Sequence, residues 1–588
     1  MKMKTSITIQ KPGQTGSALM LVLIMSAIAL AILAGVMTWA SSSARLTHRS
    51  IQYTRSIAAA EAATEKVVSQ ITQDFLHGGA GRVVNNLNSY RQNSVPSTTD
   101  SAYWGTWEFN DGNGNIGQTY VQSTPGTNFI ELAAPYTGLQ GYGSTYTVVS
   151  HARDTADNQD VTAGVLQQLQ LVGIPIFQFG MYSSGDMEIS CGQPFDITGH
   201  VHSNGILYVE PDNSMTFESG VTAVVTNLFQ RNPLDPRGLV PNGAVVYAQP
   251  DEKVSPVPAL TLPIGTTNTP AAIREIIEPP PLGEDPTSPQ GELRYYNQCD
   301  MILTVSDTGV SAASVNFNNV AAVVTTNDLN LFVSTTNNFF VDNREGKTVQ
   351  PIDINIGILT AWVQTNSNLR AALGGATLNS IYVVDSRTPL TLPSANLGAV
   401  RVVNGSQLPA PNGLTVATGR PLYVLGDYNS DLTNRGTANT SATEPASLVA
   451  DAITILSDNW HDGTTGPGIS PPNAAPTTVN AALLTGVVET TTAAYSGGME
   501  NFPRFLENWG LANTFTYNGS MVKMFPSLYA TGVWGQANVY DPPKRNWAFD
   551  TNFNDPTKLP PHTPQLLTVI RSQWATVAPN SNVAVIIP

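Results

Sequence analysis

Residues 16–40 read GSALMLVLIMSAIALAILAGVMTWA, and this stretch decides how the chain is built. No charged residue occurs from Pro12 to Ala44. A helix needs about 20 apolar residues to cross the ~30 Å hydrocarbon core of a bilayer, whereas the apolar part of a secretory signal is only about 7–15 residues long. The segment from Ser17 to Ala40 therefore predicts a retained membrane-spanning helix. Small residues around Ala40–Ala44 leave a cleaved secretory signal as the alternative.

Basic residues flank this apolar segment on both sides. They are Lys2, Lys4 and Lys11 before it, and Arg45, Arg49 and Arg55 after it. The lysines fit a cytoplasmic anchor under the positive-inside rule, but the arginines leave the orientation open when charges alone are counted.

The helical pattern continues beyond the apolar segment without a proline or glycine until Gly78-Gly79, where we expect the helix to end. One side of this extension carries a stripe with heptad spacing. The stripe consists of Leu46, Tyr53, Ala60 and Val67, with Ile57, Thr64 and Ile71 between them. Glu61 lies near the stripe and either pairs with a basic residue of a neighbouring subunit or stays solvated. We therefore predict one helix over 17–77, about 90 Å long.

The N-terminal plan resembles that of type IV pilin-like proteins. A short leader with lysines precedes Gly16, and GSALMLVLIMSAIALAIL is followed by AAAEAATEKV at 58–67. The resemblance is closest to PilX-type minor pilins and to the large K-type minor pseudopilins of type II secretion. It implies that 1–16 is a leader that prepilin peptidase removes between Gly16 and Ser17. Leu21 stands where major pilins carry a Glu, which is typical of those minor members.

The resemblance also implies partners and a location. The partners would be other pilins or pseudopilins, an inner-membrane assembly platform, prepilin peptidase and membrane lipid. The location would be the bacterial inner membrane, with a single span, a periplasmic or extracellular C-terminal part, and incorporation into a pilus as an option.

The composition of the 588-residue chain favours an extracytoplasmic β protein. Only 12% of its residues are charged, against about 25% in average globular proteins. The formal net charge of −15 argues against a nucleic-acid partner, which usually requires a basic face. Cys191 and Cys299 could form one disulfide in an oxidising compartment or remain two buried thiols.

Beyond the helix the sequence predicts a mainly β fold in three parts. Residues 78–175 contain strand candidates such as STYTVVSHARD and predict a small β-rich head lying on the helix. Residues 176–495 contain many short apolar runs split by tight turns, which favours a β-helix or β-solenoid-like body over a β-sandwich. Within it, 232–290 is proline-rich and predicts an insertion. Residues 496–588 are rich in aromatics and predict a cap on one end of the body, although such side chains could also stack on sugars.

The residues of FDITGHVHSNG, 195–205, give the best metal candidate. In one strand, Asp196, His200 and His202 would share a face and could begin a zinc site, although alternating histidines are also common on a polar β face.

Two further segments imitate the start of a calcium loop. They are Asp111, Asn113 and Asn115, and Asp427, Asn429 and Asp431. Both lack the glycine at position six and the acid at position twelve, so turns are the simpler interpretation, and we expect no other cofactor.

The sequence contains no recognisable catalytic motif, and we expect a protein that is not an enzyme. Three hypotheses remain. The first is a structural pilin-like component that displays a large ectodomain. The second is a membrane-anchored carbohydrate-binding or carbohydrate-degrading β-helix. The third is a solitary anchored envelope protein.

Overall fold

The fold is taken from a computed structural model of the whole chain. The structure describes residues 17–124, 128–157, 160–238, 240–335, 339–388, 395–430, 432–466, 470–510, 512–534 and 539–578. The predicted leader 1–16, with Gly16, lies outside the described residues, as does Asp431 of the second calcium candidate.

Helix α1 covers Ser17–Asn93 and is 77 residues long. It is broken at Gly78 and Gly79, and Gly79 has φ of 65°, a conformation that glycine adopts without a Cβ clash. The first helical segment therefore ends at the two glycines. A second segment continues up to Asn93, in a region for which the sequence predicted only strands.

Strands make up most of the rest, with short helices between them. In the head they are β1 Trp107–Asn110, β2 Tyr120–Ser123, β3 Asn128–Glu131, β4 Gln140–Asp154 and β5 Thr162–Pro175. The next group is β6 Phe179–Ser183, β7 Met187–Ile189, β8 Phe195–Ile197, β9 His200–Ser203, β10 Ile206–Val209, β11 Ser214–Phe217, β12 Val221–Ala223, β13 Thr226–Leu228, β14 Ala244–Tyr247 and β15 Lys253–Val254.

The later strands begin after residue 300. They are β16 Met301–Ser306, β17 Gly309–Ala313, β18 Val333–Ser334, β19 Phe340–Asp342, β20 Lys347–Asn355, β21 Ser380–Asp385, β22 Leu397–Gly405, β23 Leu414–Thr418, β24 Leu422–Tyr428, β25 Ala446–Ala450, β26 Ile453–Leu456, β27 Thr477–Asn480, β28 Ala482–Val487, β29 Arg504–Phe505, β30 Thr514–Gly519, β31 Met521–Pro526, β32 Lys544–Phe549 and β33 Gln565–Val577. The short helices are α2 Pro270–Arg274, α3 Pro289–Leu293, α4 Tyr295–Gln298, α5 Val320–Val323, α6 Thr326–Leu329, α7 Ile356–Thr365 and α8 Ser367–Ala372.

The head is a six-stranded sheet completed by the last strand of the chain. Its main order is β1-β4-β5-β33, and β2 and β3 also pair with β4. Strand β33 runs antiparallel to β5 from the pair Gln565–Pro175 to the pair Val577–Gly164. The sequence assigned the head to 78–175 and all of 496–588 to a cap. The structure corrects both boundaries, because the whole body is inserted between two neighbouring strands of the head.

The first part of the body stacks three strands per coil. Strands β6, β9, β12 and β15 form one parallel stack, β7, β10 and β13 a second, and β8, β11 and β14 a third. The predicted insertion 232–290 is therefore only partly an excursion, since β14 and β15 lie within it and extend two of the stacks.

The second part of the body begins with β16 and β17, at the end of the 11-stranded sheet opposite β15, and its later strands approach the first part. Along the 11-stranded sheet the order is β15-β12-β9-β6-β31-β28-β25-β23-β21-β16-β17. Strand β31 pairs in parallel with both β28 and β6, so the last coil lies between the two parts. The prediction that 496–588 caps one end of the body is wrong for this reason. Several of its buried aromatics, among them Phe505, Trp509, Phe515 and Tyr517, belong to the main core instead.

The predicted fold class is confirmed. The protein is mainly β with one long N-terminal helix, and its body consists of several sheets. Most pairings in the body are parallel, as expected for stacked coils, whereas sandwich sheets are typically antiparallel.

Candidate assembly surface

The first part of α1 is not covered by the rest of the described chain, and its ion-pair contact with the head is that of His48 with Asp157, at 3.6 Å. Every residue from Ser17 to Ile51 is exposed, and we call this stretch the free segment. It is about 50 Å long at the standard helical rise. It includes the part of α1 that is long and apolar enough to cross a membrane. Its exposed apolar side chains include Leu21, 66% exposed, and Trp39, 72% exposed.

From Gln52 onward, α1 lies on the head sheet. The side chains of α1 that are buried in this interface with the head, which we call the seat of the helix, are Gln52, Ser56, Ala59, Ala60, Ala63, Thr64, Val67, Val68, Ile71 and Phe75. Near the N-terminal end of this interface, the three alanines of α1 (Ala59, Ala60 and Ala63) pack against head residues. These are Trp107, Phe109, Ala152 and Val165. Because alanine is small, the helix can approach the two large aromatic rings closely at this point.

Polar contacts fix the helix in this seat. Glu65 forms an ion pair with Arg571 of β33, with Oε2 2.9 Å from Nη2. Gln167 of β5 donates from Nε2 to Glu65 Oε1 at 2.9 Å and to Thr64 Oγ1 at 3.0 Å. The hydrogen bond from Arg571 lowers the pKa of the Glu65 carboxyl, since it stabilises the ionised form. Both neighbouring strands therefore bind the same turn of α1.

The predicted heptad stripe is divided between two environments. Ala60, Thr64, Val67 and Ile71 are buried under the head of the same chain, and Ile57 is half-buried. Leu46 and Tyr53 are 69% and 41% exposed, and Glu61 is half-exposed. Only the N-terminal part of the stripe is thus open to another subunit.

Part of the buried face of α1 was not predicted from the sequence. Gln52, Ser56, Ala59, Ala63 and Val68 are also buried, although the heptad count omitted them. The steps from 52 to 56, 59 and 63 follow the i+3 and i+4 rule, so this signal was available in the sequence. The partner Arg571 had no such local signal.

The structure does not bring the metal candidates together in one strand. Asp196 lies in β8, whereas His200 and His202 lie in β9 of a different sheet, and Gly199, with φ of 78°, turns the chain between them. The prediction that the three share one face of a single strand is therefore wrong.

His202 is fully buried, and both of its ring nitrogens are hydrogen-bonded. Its Nδ1 lies 2.8 Å from Thr222 Oγ1 and its Nε2 lies 3.0 Å from Asn204 Oδ1. Its ring stacks on Tyr182 at 5.6 Å. Burial lowers the pKa of His202 to about 4, because the charged imidazolium is poorly solvated there. Within the described ranges, no group of three or more His, Cys, Asp or Glu side chains is placed to hold a metal ion.

The first calcium candidate is a turn held by its own hydrogen bonds, whereas the second begins within strand β24 and is hydrogen-bonded to β27. Asp111 accepts from the backbone N–H groups of Asn113 and Asn115 at 2.8 and 3.0 Å. In the second segment, Asp427 accepts from the N–H of Thr478 at 2.8 Å, and Asn429 donates to the carbonyl oxygen of Asn480 at 2.9 Å.

The two cysteines are separate buried thiols. Cys191 packs in the main core and Cys299 in a second cluster beside the head. Of the two alternatives from the sequence, the structure contains free thiols, and burial raises the pKa of Cys191 to about 12.

A cavity of about 280 Å³ opens where the first and last coils meet. Glu188 and Tyr208, paired on adjacent coils, are among its lining residues. Both oxygens of Glu188 are already hydrogen-bonded, Oε1 to Asn232 and Oε2 to Thr490, each at 2.6 Å. Lys523, also in the lining, lies 3.1 Å from Glu489.

Comparisons with known proteins add little to this description. No protein-family model and no curated protein matches the sequence. Among solved structures, the chain is similar to the competence-associated pilin ComZ from Thermus thermophilus, with 10% identity over 90% of this chain and 97% of that one. The TM-score is 0.29, which is too low to transfer a fold or a role.

Proposed function

We propose that the chain is a minor pilin-like structural component of a type IV pilus or of a type II secretion-like envelope assembly. The observation that carries the proposal is the division of α1 at Gln52. The free segment has no cover within the described chain, whereas the rest of the helix is seated on an antiparallel sheet. A rod of this kind supplies both a membrane anchor and a helix for packing among other helices.

Solvation energy explains why the free segment needs a cover. Apolar surface gains about 25 cal/mol for each Å² removed from water, so a bare apolar helix of this length is strongly driven out of solution. Before assembly, the bilayer would cover it as a single span, with the body on the far side of the bacterial inner membrane. After assembly, helices of other pilins or pseudopilins would cover the same surface.

The proposed role is structural rather than catalytic. Leu21 in place of an acidic residue fits an auxiliary or tip position rather than the repeating filament subunit. The body, inserted between β5 and β33, would be displayed outward. Prepilin peptidase and the inner-membrane assembly platform are the partners that this role requires.

The N-terminal residue of the protein purified from native membranes tests the proposal. Ser17 is the expected result, because prepilin peptidase cuts after the glycine at this position. An intact Met1 would leave a solitary anchored protein, and a start between Ser41 and Arg45 would identify a secreted one.

Cross-linking tests the assembly step separately. Both native cysteines are buried, so cysteines introduced as Leu46→Cys or Tyr53→Cys would be the reactive ones. We expect them to cross-link to other pilin-like subunits. Ser69→Cys, exposed on the seated part of α1, is the matched control and should not cross-link.

A carbohydrate-binding role for the body is a second proposal. The cavity between the coils supports it, because Glu489 and Tyr208 offer hydrogen-bonding groups beside apolar side chains such as Phe502. A glycan array probed with the full chain tests this role. Binding that Glu489→Gln removes and the exposed control Glu218→Gln keeps would support it, and no binding to any glycan would remove it.

A further inference from the structure

We propose that Arg45 and Arg49 bind the phosphate groups of anionic phospholipids at the membrane surface from which the head emerges. The inference rests on the proposed membrane insertion of α1 and adds a lipid-headgroup site to it.

The first argument is the position of the two arginines along the helix. They come just after the end of the apolar segment, where Trp39 is 72% exposed. Tryptophan is enriched at the boundary between hydrocarbon and headgroups. Arg45 lies about 9 Å and Arg49 about 15 Å beyond Trp39 along the axis. Because Cα–Cβ bonds tilt toward the helix N-terminus, both side chains lean back toward the bilayer.

The second argument is the contrast with the neighbouring cations. His48 lies 3.6 Å from Asp157, and Arg55 lies 3.8 Å from Asp154, so the head supplies carboxylates to both. Within the part of the chain that the structure describes, Arg45 and Arg49 form no ion pair, and both are exposed. The arginine pair nearest the membrane is therefore the one that the head leaves without an anion.

The third argument is that the two arginines lie together. Positions 45 and 49 are one turn apart, and they continue the face that carries Gln52 and Ser56 toward the membrane. All residues of α1 from Arg45 to Arg49 are exposed, and the head approaches this turn at His48, which lies 3.6 Å from Asp157. Two guanidinium groups on one face suit phosphate oxygens, which accept their paired N–H groups in bidentate geometry.

Lipid selectivity in reconstituted bilayers tests the inference. The full chain is reconstituted in phosphatidylcholine vesicles with a trace of spin-labelled phosphatidylglycerol or spin-labelled phosphatidylcholine. We expect phosphatidylglycerol to be enriched at the protein by about fivefold for each arginine. Raising the salt concentration should reduce the enrichment.

Two double variants with the same change in charge make the test specific. R45Q/R49Q should associate equally with the two labelled lipids. The control K347Q/K544Q removes two exposed cations of the body and should retain the native selectivity.

The failing outcomes are distinct. No selectivity in the native chain, or full selectivity in R45Q/R49Q, would overturn the lipid site. Retained selectivity together with lost cross-linking of Leu46→Cys would assign the arginines to a contact with another subunit. A native chain that does not float with the vesicles would overturn the proposed membrane insertion itself.

Discussion

Arg571 and Glu65, which are 506 positions apart in the sequence, form a bidentate ion pair. The Nη1–Oε1 distance is 2.5 Å and the Nη2–Oε2 distance is 2.9 Å. One residue lies on the first helix and the other on the last strand. The head that seats the helix therefore requires both ends of the chain, and everything from Ile176 to Pro564 is enclosed between them.

This closure predicts that loss of the last strand frees the helix. Deletion from Gln565 onward removes Leu567, which packs with Val67 and Ile71 under the sheet. We expect the amides of α1 from Gln52 to Phe75 to lose hydrogen-exchange protection. The ion pair alone should matter little, because Arg571 is 59% exposed, and Arg571→Ala should cost less than about 1 kcal/mol. Unchanged protection in the deletion would show that the helix is held without β33.

Because α1 packs closely on the head sheet, we predict that a larger side chain in this interface destabilises the fold. Ala60 is 0% exposed against the head, so Ala60→Leu should lower the free energy of unfolding by about 1–3 kcal/mol. Ala58→Leu, exposed two residues earlier, is the matched control and should be nearly neutral. Denaturant unfolding in detergent measures both. Equal effects of the two variants would contradict the observed packing.

The environment of Glu210 leads us to predict that the free energy of unfolding falls as the pH rises. Burial, together with the nearby Glu188 and Glu500, raises the pKa of Glu210 to about 9, although Arg237 lies 3.1 Å away and acts in the opposite direction. Because the folded-state pKa is higher than the unfolded value near 4.5, this contribution is complete below about pH 4.5 and is lost as the pH rises toward 9.

Unfolding free energies measured from pH 5 to pH 9 test this sign. Glu210→Gln should flatten the decrease, whereas the exposed Glu218→Gln should leave it unchanged. A native chain that gains stability over this range would mean that Arg237 dominates the environment of Glu210.

We predict that replacing His202 lowers the free energy of unfolding and that this effect does not depend on metal. His202→Ala removes a fully buried ring and both of its hydrogen bonds, so we expect a loss of about 2–4 kcal/mol. The exposed His77→Ala should be nearly neutral. Unfolding with and without a chelator separates the two roles, since a chelator should change neither variant nor the native chain. Chelator-induced destabilisation of the native chain alone would restore the metal hypothesis.

The candidate site was partly readable from the sequence. The apolar run up to Ala40 and the i+3 and i+4 steps after it are local signals, so they located both halves of α1. The division at Gln52 was not readable, because it depends on where the head sheet begins to cover the helix. The histidine segment shows the same limit. The alternation of His200 and His202 was visible, but the turn at Gly199 placed Asp196 in another sheet.

The sequence by itself determined the helix up to Gly78-Gly79 and the β character of the chain beyond Asn93, but not the helical segment between them. Helix formation depends on hydrogen bonds between residues four apart, and glycine acts on the backbone at its own position. Only the tertiary structure decided that β33 completes the head and that β31 joins the two parts of the body. Strand pairing joins backbone groups that are the same in every residue, so the partner of a strand is set by packing across the whole chain.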